Sequence, residues 1–191
     1  MAATQPLRSK NEARALANYY LDLGKIRNYV LIVLGLCTAL RISDLLRLRW
    51  DDVYDFKNKR VKHSIDIVEK KTRKHKAIAL NRAAVSALTL LAASSAREGC
   101  FLIENPRTQN AISRIQAYRI IRAAAEALCL KVRVSCHSLR KTFGYHAWQD
   151  GTSPVVIMEI YNHSSLETTR RYLGVSQDDK NKVYLGLDLL A

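Results

Sequence analysis

Apolar residues recur at helical spacing from the start of the chain. Ala13, Leu16, Ala17, Tyr20 and Leu21 follow Ser9-x-x-Glu12, a capping-box pattern, and predict a first helix that Gly24 ends. Residues 25–39 are apolar almost all round, as expected of a helix inside a core. Arg41 follows its end, and residues 44–49 predict another short helix. The pattern then changes period: Val61 to Val68 and His75 to Leu80 read as two strands joined by a basic turn. Asn81 caps a helix running to about Ser95, with Val85, Leu88 and Leu91 on one face. Residues 97–110 form a turn-rich connector. A long helix over 111–128 follows, with Ile112, Ile115 and Leu128 facing inward.

Residues 136–174 predict three short helices, with a basic or hydroxyl group facing outward near each junction. Gly151 stops the first, Ser153-Pro154 starts the second, Asn162 suits a left-handed C-cap, and Ser164-x-x-Glu167 caps the third. A last helix from Ser176 to Leu190 carries the apolar stripe Val183, Leu187 and Leu190. Without a repeat or a Gly/Ser linker, the chain reads as one domain over residues 1–191. The fold class is α+β, mainly α-helical with a small antiparallel β-hairpin.

Charge narrows the partners. The 191 residues hold 31 Lys and Arg against 17 Asp and Glu, a net charge of +14. Such a surplus predicts a polyanionic partner. Nine cations crowd residues 57–76 against only Asp66 and Glu69. A solvated charged hairpin is the plain reading, and a hairpin that tracks a DNA backbone is the functional one. No apolar run is long enough to span a bilayer. The four cysteines form no C-x-x-C pair, which suits reduced thiols in a cytoplasmic, nucleoid-associated protein.

The chemistry concentrates after Cys136. His137 and Arg140 stand one helical turn apart, and His163 precedes Tyr172 by nine residues. An arginine fork binds two non-bridging oxygens of a phosphate, an imidazole donates to it or moves a proton, and a tyrosine hydroxyl is a candidate nucleophile. The set reads as phosphoryl transfer to a protein oxygen, with no metal and no cofactor. A zinc site from Cys136, His137, His146 and His163 lacks usual ligand spacing. No G-x-x-x-x-G-K-[ST] loop points to ATP.

Five segments in order resemble the catalytic domain of the tyrosine recombinases, the phage-integrase family. They are Thr38-Ala39-Leu40-Arg41-Ile42-Ser43-Asp44-Leu45, Lys70-Lys71-Thr72, His137-Ser138-Leu139-Arg140, Asn162-His163-Ser164-Ser165 and Tyr172. The resemblance implies site-specific recombination of double-stranded DNA through a 3′-phosphotyrosyl intermediate. It gives Tyr172 the role of nucleophile. Arg41 and Arg140, with His163, stabilise the phosphate charge, His137 accepts a proton, and Lys71 acts as general acid, with Lys70 and Lys74 as rivals. Lys70, Arg73, Lys74 and Arg114 are candidate DNA contacts.

The sequence departs from the family at Asn162, where glycine is common, and at Lys141, where histidine is common. It also lacks the N-terminal core-binding domain that most members carry. A catalytically silent DNA-binding fragment and a type IB topoisomerase-like nicking and closing enzyme are the alternatives. The expected assembly is a monomer in solution and a homotetramer on paired DNA sites, linked by the tail helix over 175–191.

Overall fold

The computed structural model describes residues 4–175 and 177–187. Helix α1 (Lys10–Asp22) is capped by Ser9, whose hydroxyl accepts from the Glu12 amide. It packs on α2 (Ile26–Cys37), in which Val30 to Gly35 form an unbroken buried run. That helix is the axis of the core, with α1, α5 (Arg82–Ser95) and α7 (Cys136–Gln149) against it. Gly35 permits the closest approach. A Cβ there would lie 2.5 Å from Leu139 Cδ1 of α7. The contact brings the end of α2, and hence Arg41, beside the helix that carries Arg140.

Residues 44–49 do not form the single helix expected of them. Helix α3 (Ile42–Leu45) is followed by a turn, and α4 (Trp50–Val53) starts afresh. The break has a tertiary cause. The connector over 97–110 takes the backbone between the helices: the Leu102 amide donates to Leu48 O at 2.9 Å, and the Trp50 amide to Cys100 O at 3.0 Å. Both Leu48 and Trp50 are thereby buried.

The first predicted strand is also divided. Strand β1 (Tyr54–Asp55) pairs with β2 (Arg60–Val61), and β3 (Ser64–Val68) pairs with β4 (His75–Ala79), both antiparallel. Asp55 accepts from the Asn58 backbone and side chain, closing a tight turn that folds Val61 back onto Tyr54 instead of forward into β3.

Helix α6 (Arg114–Ala127) begins at the capping box Ser113-x-x-Gln116, three residues later than expected. The later start turns Ile115 outward, 64% exposed, contrary to its expected inward place. Ala117, Ile121, Ala124 and Ala125 make the buried face instead.

Helices α7, α8 (Pro154–Tyr161) and α9 (Leu166–Leu173) match the expected trio, except that α9 is capped not by Ser164 but by Ser165, whose hydroxyl accepts from the Thr168 amide. They enclose a second small core of Ala39, Ile157, Tyr161 and Leu173. Arg140 does not face outward. It is 1% exposed, aimed between α2 and α8. Helix α10 (Gln177–Gly186) ends the described chain. Val183 and Leu187 are exposed, and Ser176 and Leu190 lie outside the described residues.

Candidate active site

The site is built on the C-terminal end of α8, where unpaired carbonyls and the helix dipole concentrate negative potential. Three cations from three parts of the chain meet there. Arg140 Nη2 donates to Tyr161 O at 2.8 Å, and Arg41 Nη2 donates to the same oxygen at 3.2 Å. Lys76 Nζ donates to Ile160 O at 2.6 Å. Arg140 Nη1 also donates to Ala39 O. Ala39 can present that carbonyl because it takes the left-handed conformation, φ 55°, just before Arg41.

Two buried carboxylates act on these cations, Glu69 among them and Asp44 on Lys76. Glu69 has no exposed surface, and its Oε2 lies 2.9 Å from Arg41 Nη1. The same oxygen accepts from Thr72 Oγ1 at 2.7 Å and from Asn162 Nδ2 at 2.9 Å. Burial pushes the Glu69 carboxyl up, but these hydrogen bonds and the Arg41 charge outweigh it and hold it below the usual value. The Arg41 contact is close but poorly aligned for hydrogen bonding. Arg41 Nη1 and Arg140 Nε are therefore buried donors without an aligned protein acceptor. A tetrahedral oxyanion is the kind of ligand that would satisfy both.

His163 and Tyr172 stand beside this cluster. The Tyr172 ring lies 4.8 Å from His163 and 5.4 Å from Tyr161, centroid to centroid. His163 Nδ1 pairs with Thr169 Oγ1 at 3.0 Å, which fixes the ring and leaves Nε2 for another partner. Burial, reinforced by the Arg140 and Arg41 charges, pushes the imidazole down to about 4. It is neutral at pH 7. Burial and then the Arg41 charge lower Arg140 to about 10, still a cation. Tyr161 is fixed by its hydroxyl, which donates to Arg140 O at 2.5 Å. Gly144 makes room for it, since a Cβ there would sit 2.2 Å from Tyr161 Oη.

His137 lies at the exposed mouth, one turn before Arg140 on α7. Burial and the charges of Arg140, Lys141, Arg41 and Lys71 all lower its pKa. Lys71 also acts on His163, so its ammonium belongs to the same field although the side chain is exposed on the hairpin turn. Lys70, Arg73 and Lys74 are exposed on that turn too. The Lys70 amide is anchored to Asp44 Oδ1 at 2.9 Å. Arg114 opens α6, exposed and close enough to Cys136 to influence its thiol.

Sequence reasoning missed Glu69, Lys76 and Tyr161. For Lys76 a signal existed: it shares the inward phase of β4 with buried Ile78, two residues on. Asn162, the residue in place of the family glycine, occupies the left-handed C-cap of α8, φ 51° and ψ 43°. Among the described residues, no three His, Cys, Asp or Glu side chains cluster as a metal site, and no helix is long and apolar enough to cross a membrane. A cavity of about 580 Å³ at the other end of α2, lined by Arg27, Trp50 and Phe101, shares no residue with this site.

Comparison with known proteins gives a consistent relationship. Residues 7–178 match the model of the phage integrase family. The chain is 36% identical over 184 residues to the "Probable integrase/recombinase YoeC" of Bacillus subtilis, covering 96% of this chain and 97% of that one. It is 31% identical over 170 residues to the tyrosine recombinase XerD of Mycobacterium leprae, covering 84% of this chain but 52% of XerD. Among solved structures, XerA recombinase superposes with a TM-score of 0.77 at 22% identity, over 97% of this chain and 66% of that one. XerH recombinase bound to its palindromic difH substrate gives 0.75 at 19% identity, over 96% and 53%.

Proposed function

The chain belongs to the phage integrase family, and from that premise we propose that it cuts and rejoins double-stranded DNA through a tyrosine-linked intermediate. The observation that carries this reading is the meeting of Arg41 and Arg140 at Tyr161 O, with a buried donor on each lacking an aligned acceptor and Tyr172 alongside. Tyr172 Oη attacks the scissile phosphorus, the bond to the 5′-oxygen breaks, and a 3′-phosphotyrosyl link forms. Arg41 and Arg140 stabilise the charge that grows on the non-bridging oxygens. His163, neutral at pH 7, adds a hydrogen bond from Nε2 in the tautomer whose Nδ1 accepts from the Thr169 hydroxyl. His137, whose lowered pKa keeps it unprotonated, accepts the phenolic proton. Lys71 protonates the leaving 5′-oxygen. Attack by the 5′-hydroxyl of a partner strand reverses the step and completes strand exchange. One phosphoester replaces another, so the sequence of steps conserves bond energy.

Lys70, Arg73, Lys74 and Arg114 hold the DNA backbone, and the whole of residues 1–191 acts as one catalytic domain. Exchange between two duplexes requires four nucleophiles, hence four protomers on paired sites. The exposed end of α10 is the surface through which neighbouring protomers join.

The decisive experiment uses a nicked duplex that traps the covalent complex. Tyr172→Phe removes one hydroxyl and no charge. It should bind DNA with affinity unchanged while forming no adduct. An adduct that persists in this variant, or one that maps to a different tyrosine in the unmodified protein, overturns the assignment.

A further inference from the structure

Glu69 is not among the groups that the reaction above requires, yet it occupies the centre of the site's framework. Its carboxylate joins three separate stretches. Through Arg41 it reaches the loop after α2, through Thr72 it braces the turn that presents Lys71, and through Asn162 it reaches the turn that presents His163. The backbone repeats the connection. The Arg73 amide donates to Glu69 O at 2.9 Å, and the Glu69 amide donates to Lys74 O at 3.0 Å. Local structure calls for neither Glu69 nor Asn162. A left-handed C-cap needs only glycine, and a buried carboxylate among cations carries a desolvation cost that an apolar side chain avoids.

We propose that Glu69 is a positioning residue for DNA cleavage: resting against Arg41, it holds the guanidinium ready for the scissile phosphate, and its bond to Asn162 couples the Lys71 hairpin to the His163 turn. The inference rests on the reading of Tyr172 as nucleophile. Arg41 Nη1 has a carboxylate at 2.9 Å without good alignment, so the resting contact restrains the side chain without consuming its donor. An arriving phosphate supplies the aligned acceptor, and Glu69 remains as the second partner that fixes the plane of the fork. The same oxygen receives the Asn162 amide, so a displacement of the hairpin moves the His163 turn with it. Nitrogen and oxygen donors on phosphate are effective only within a narrow range of position, and a shift of about 1 Å costs roughly a hundredfold in rate.

The test measures single-turnover cleavage of the nicked duplex at saturating DNA, with DNA affinity measured separately. Glu69→Gln keeps the shape and an acceptor for Asn162 but removes the charge that restrains Arg41. It should slow cleavage by about tenfold to a hundredfold while the dissociation constant stays within about threefold. In a background of Arg41→Ala the same change should add nothing, because its effect passes through Arg41. Asn162→Gly keeps the left-handed turn and removes only the tether. It should slow cleavage by a smaller factor, and that factor should vanish in a Glu69→Ala background, where no acceptor for Asn162 remains. Unaltered cleavage by a folded Glu69→Gln, or a defect that multiplies with Arg41→Ala, overturns the proposal. If Glu69→Gln fails to fold, Asn162→Gly decides: cleavage at the unmodified rate overturns it, and a slowed rate at unchanged melting temperature supports it. Failure of the unmodified protein to form any adduct would refute the cleavage reading itself, a result separate from all of these.

Discussion

At the scale of single residues, the site works by controlling which groups are charged. Arg140 is 1% exposed and stays a cation because Tyr161 O and Ala39 O accept from it. His163 sits in the field of the same guanidinium and stays neutral, pushed down to about 4. The depression has a thermodynamic sign. An unfolded histidine binds a proton near pH 6.5, whereas the folded one resists it, so acid favours the unfolded chain. The contribution of His163 is fully present above about pH 6.5 and is lost as pH falls from there toward 4. The melting temperature of His163→Gln should therefore depend less on pH than that of the unmodified protein across this window. Parallel curves from pH 7 to pH 4 would mean that the imidazole protonates freely in the folded state. As candidates, His137, Arg140, His163 and Tyr172 were marked in the sequence by local spacing, and Arg41 by the resemblance of its segment to the family pattern. Glu69 and Lys76 were not. Their partners, Asn162 and Ile160, lie 93 and 84 residues away, and a charge run gives no sign of which members the fold will bury.

At the scale of elements, helix phases were read well where caps fixed them. Ser9, Asn81 and Ser153 each accept from the first turn of the helix they begin. Errors arose where a distant segment captured the backbone, as at Leu48 to Trp50, or where a side-chain turn redirected a strand, as at Asp55. Pattern alone contains neither event. The β3–β4 hairpin has a divided character that bears on its role. The strand ends that lead into its turn are buried at Glu69 and half-buried at Lys76, while Lys70, Lys71, Arg73 and Lys74 are exposed on the turn itself. On the proposed reading the buried pair belongs to the framework and the exposed ones to the DNA. The proposed roles of Lys71 as general acid and of Arg140 in charge stabilisation can be told apart by the leaving group. Lys71→Ala should recover cleavage on a substrate with sulfur in place of the bridging 5′-oxygen, since a thiolate leaves without protonation. Arg140→Ala should not recover, because its loss falls on the non-bridging oxygens. Recovery by Lys70→Ala or Lys74→Ala in place of Lys71→Ala would move the role along the turn.

For the whole molecule, the two ends of the described chain differ in how they are held. The base of α10 is tied to its own domain, where Asp179 Oδ1 accepts from Gln149 Nε2 at 3.4 Å. Its far end presents Val183, Tyr184, Leu185 and Leu187, each at least 64% exposed. An apolar end on a short helix gains little in water, so a neighbouring protomer is the occupant that assembly would bring. Ending the chain at residue 176 should leave binding of the first protomer to DNA intact and remove cooperative binding and strand exchange. Normal exchange by the shortened protein would rule out this surface. The other end is fastened throughout. Lys141 donates to Thr4 O, the buried Leu7 donates its amide to Thr142 Oγ1 at 2.9 Å, and Arg8 donates to Gly174 O at 2.8 Å, two residues beyond Tyr172. These partners lie 135 or more residues away. On a ribosome adding about 5–20 residues per second, Leu7 waits on the order of ten seconds for Thr142 to emerge. Residues 4–8 are thus among the last to find their place, long after they are made. Their docking on the Gly174 turn awaits synthesis of the chain past Tyr172, so the brace behind that tyrosine is absent from every nascent chain that stops short of it.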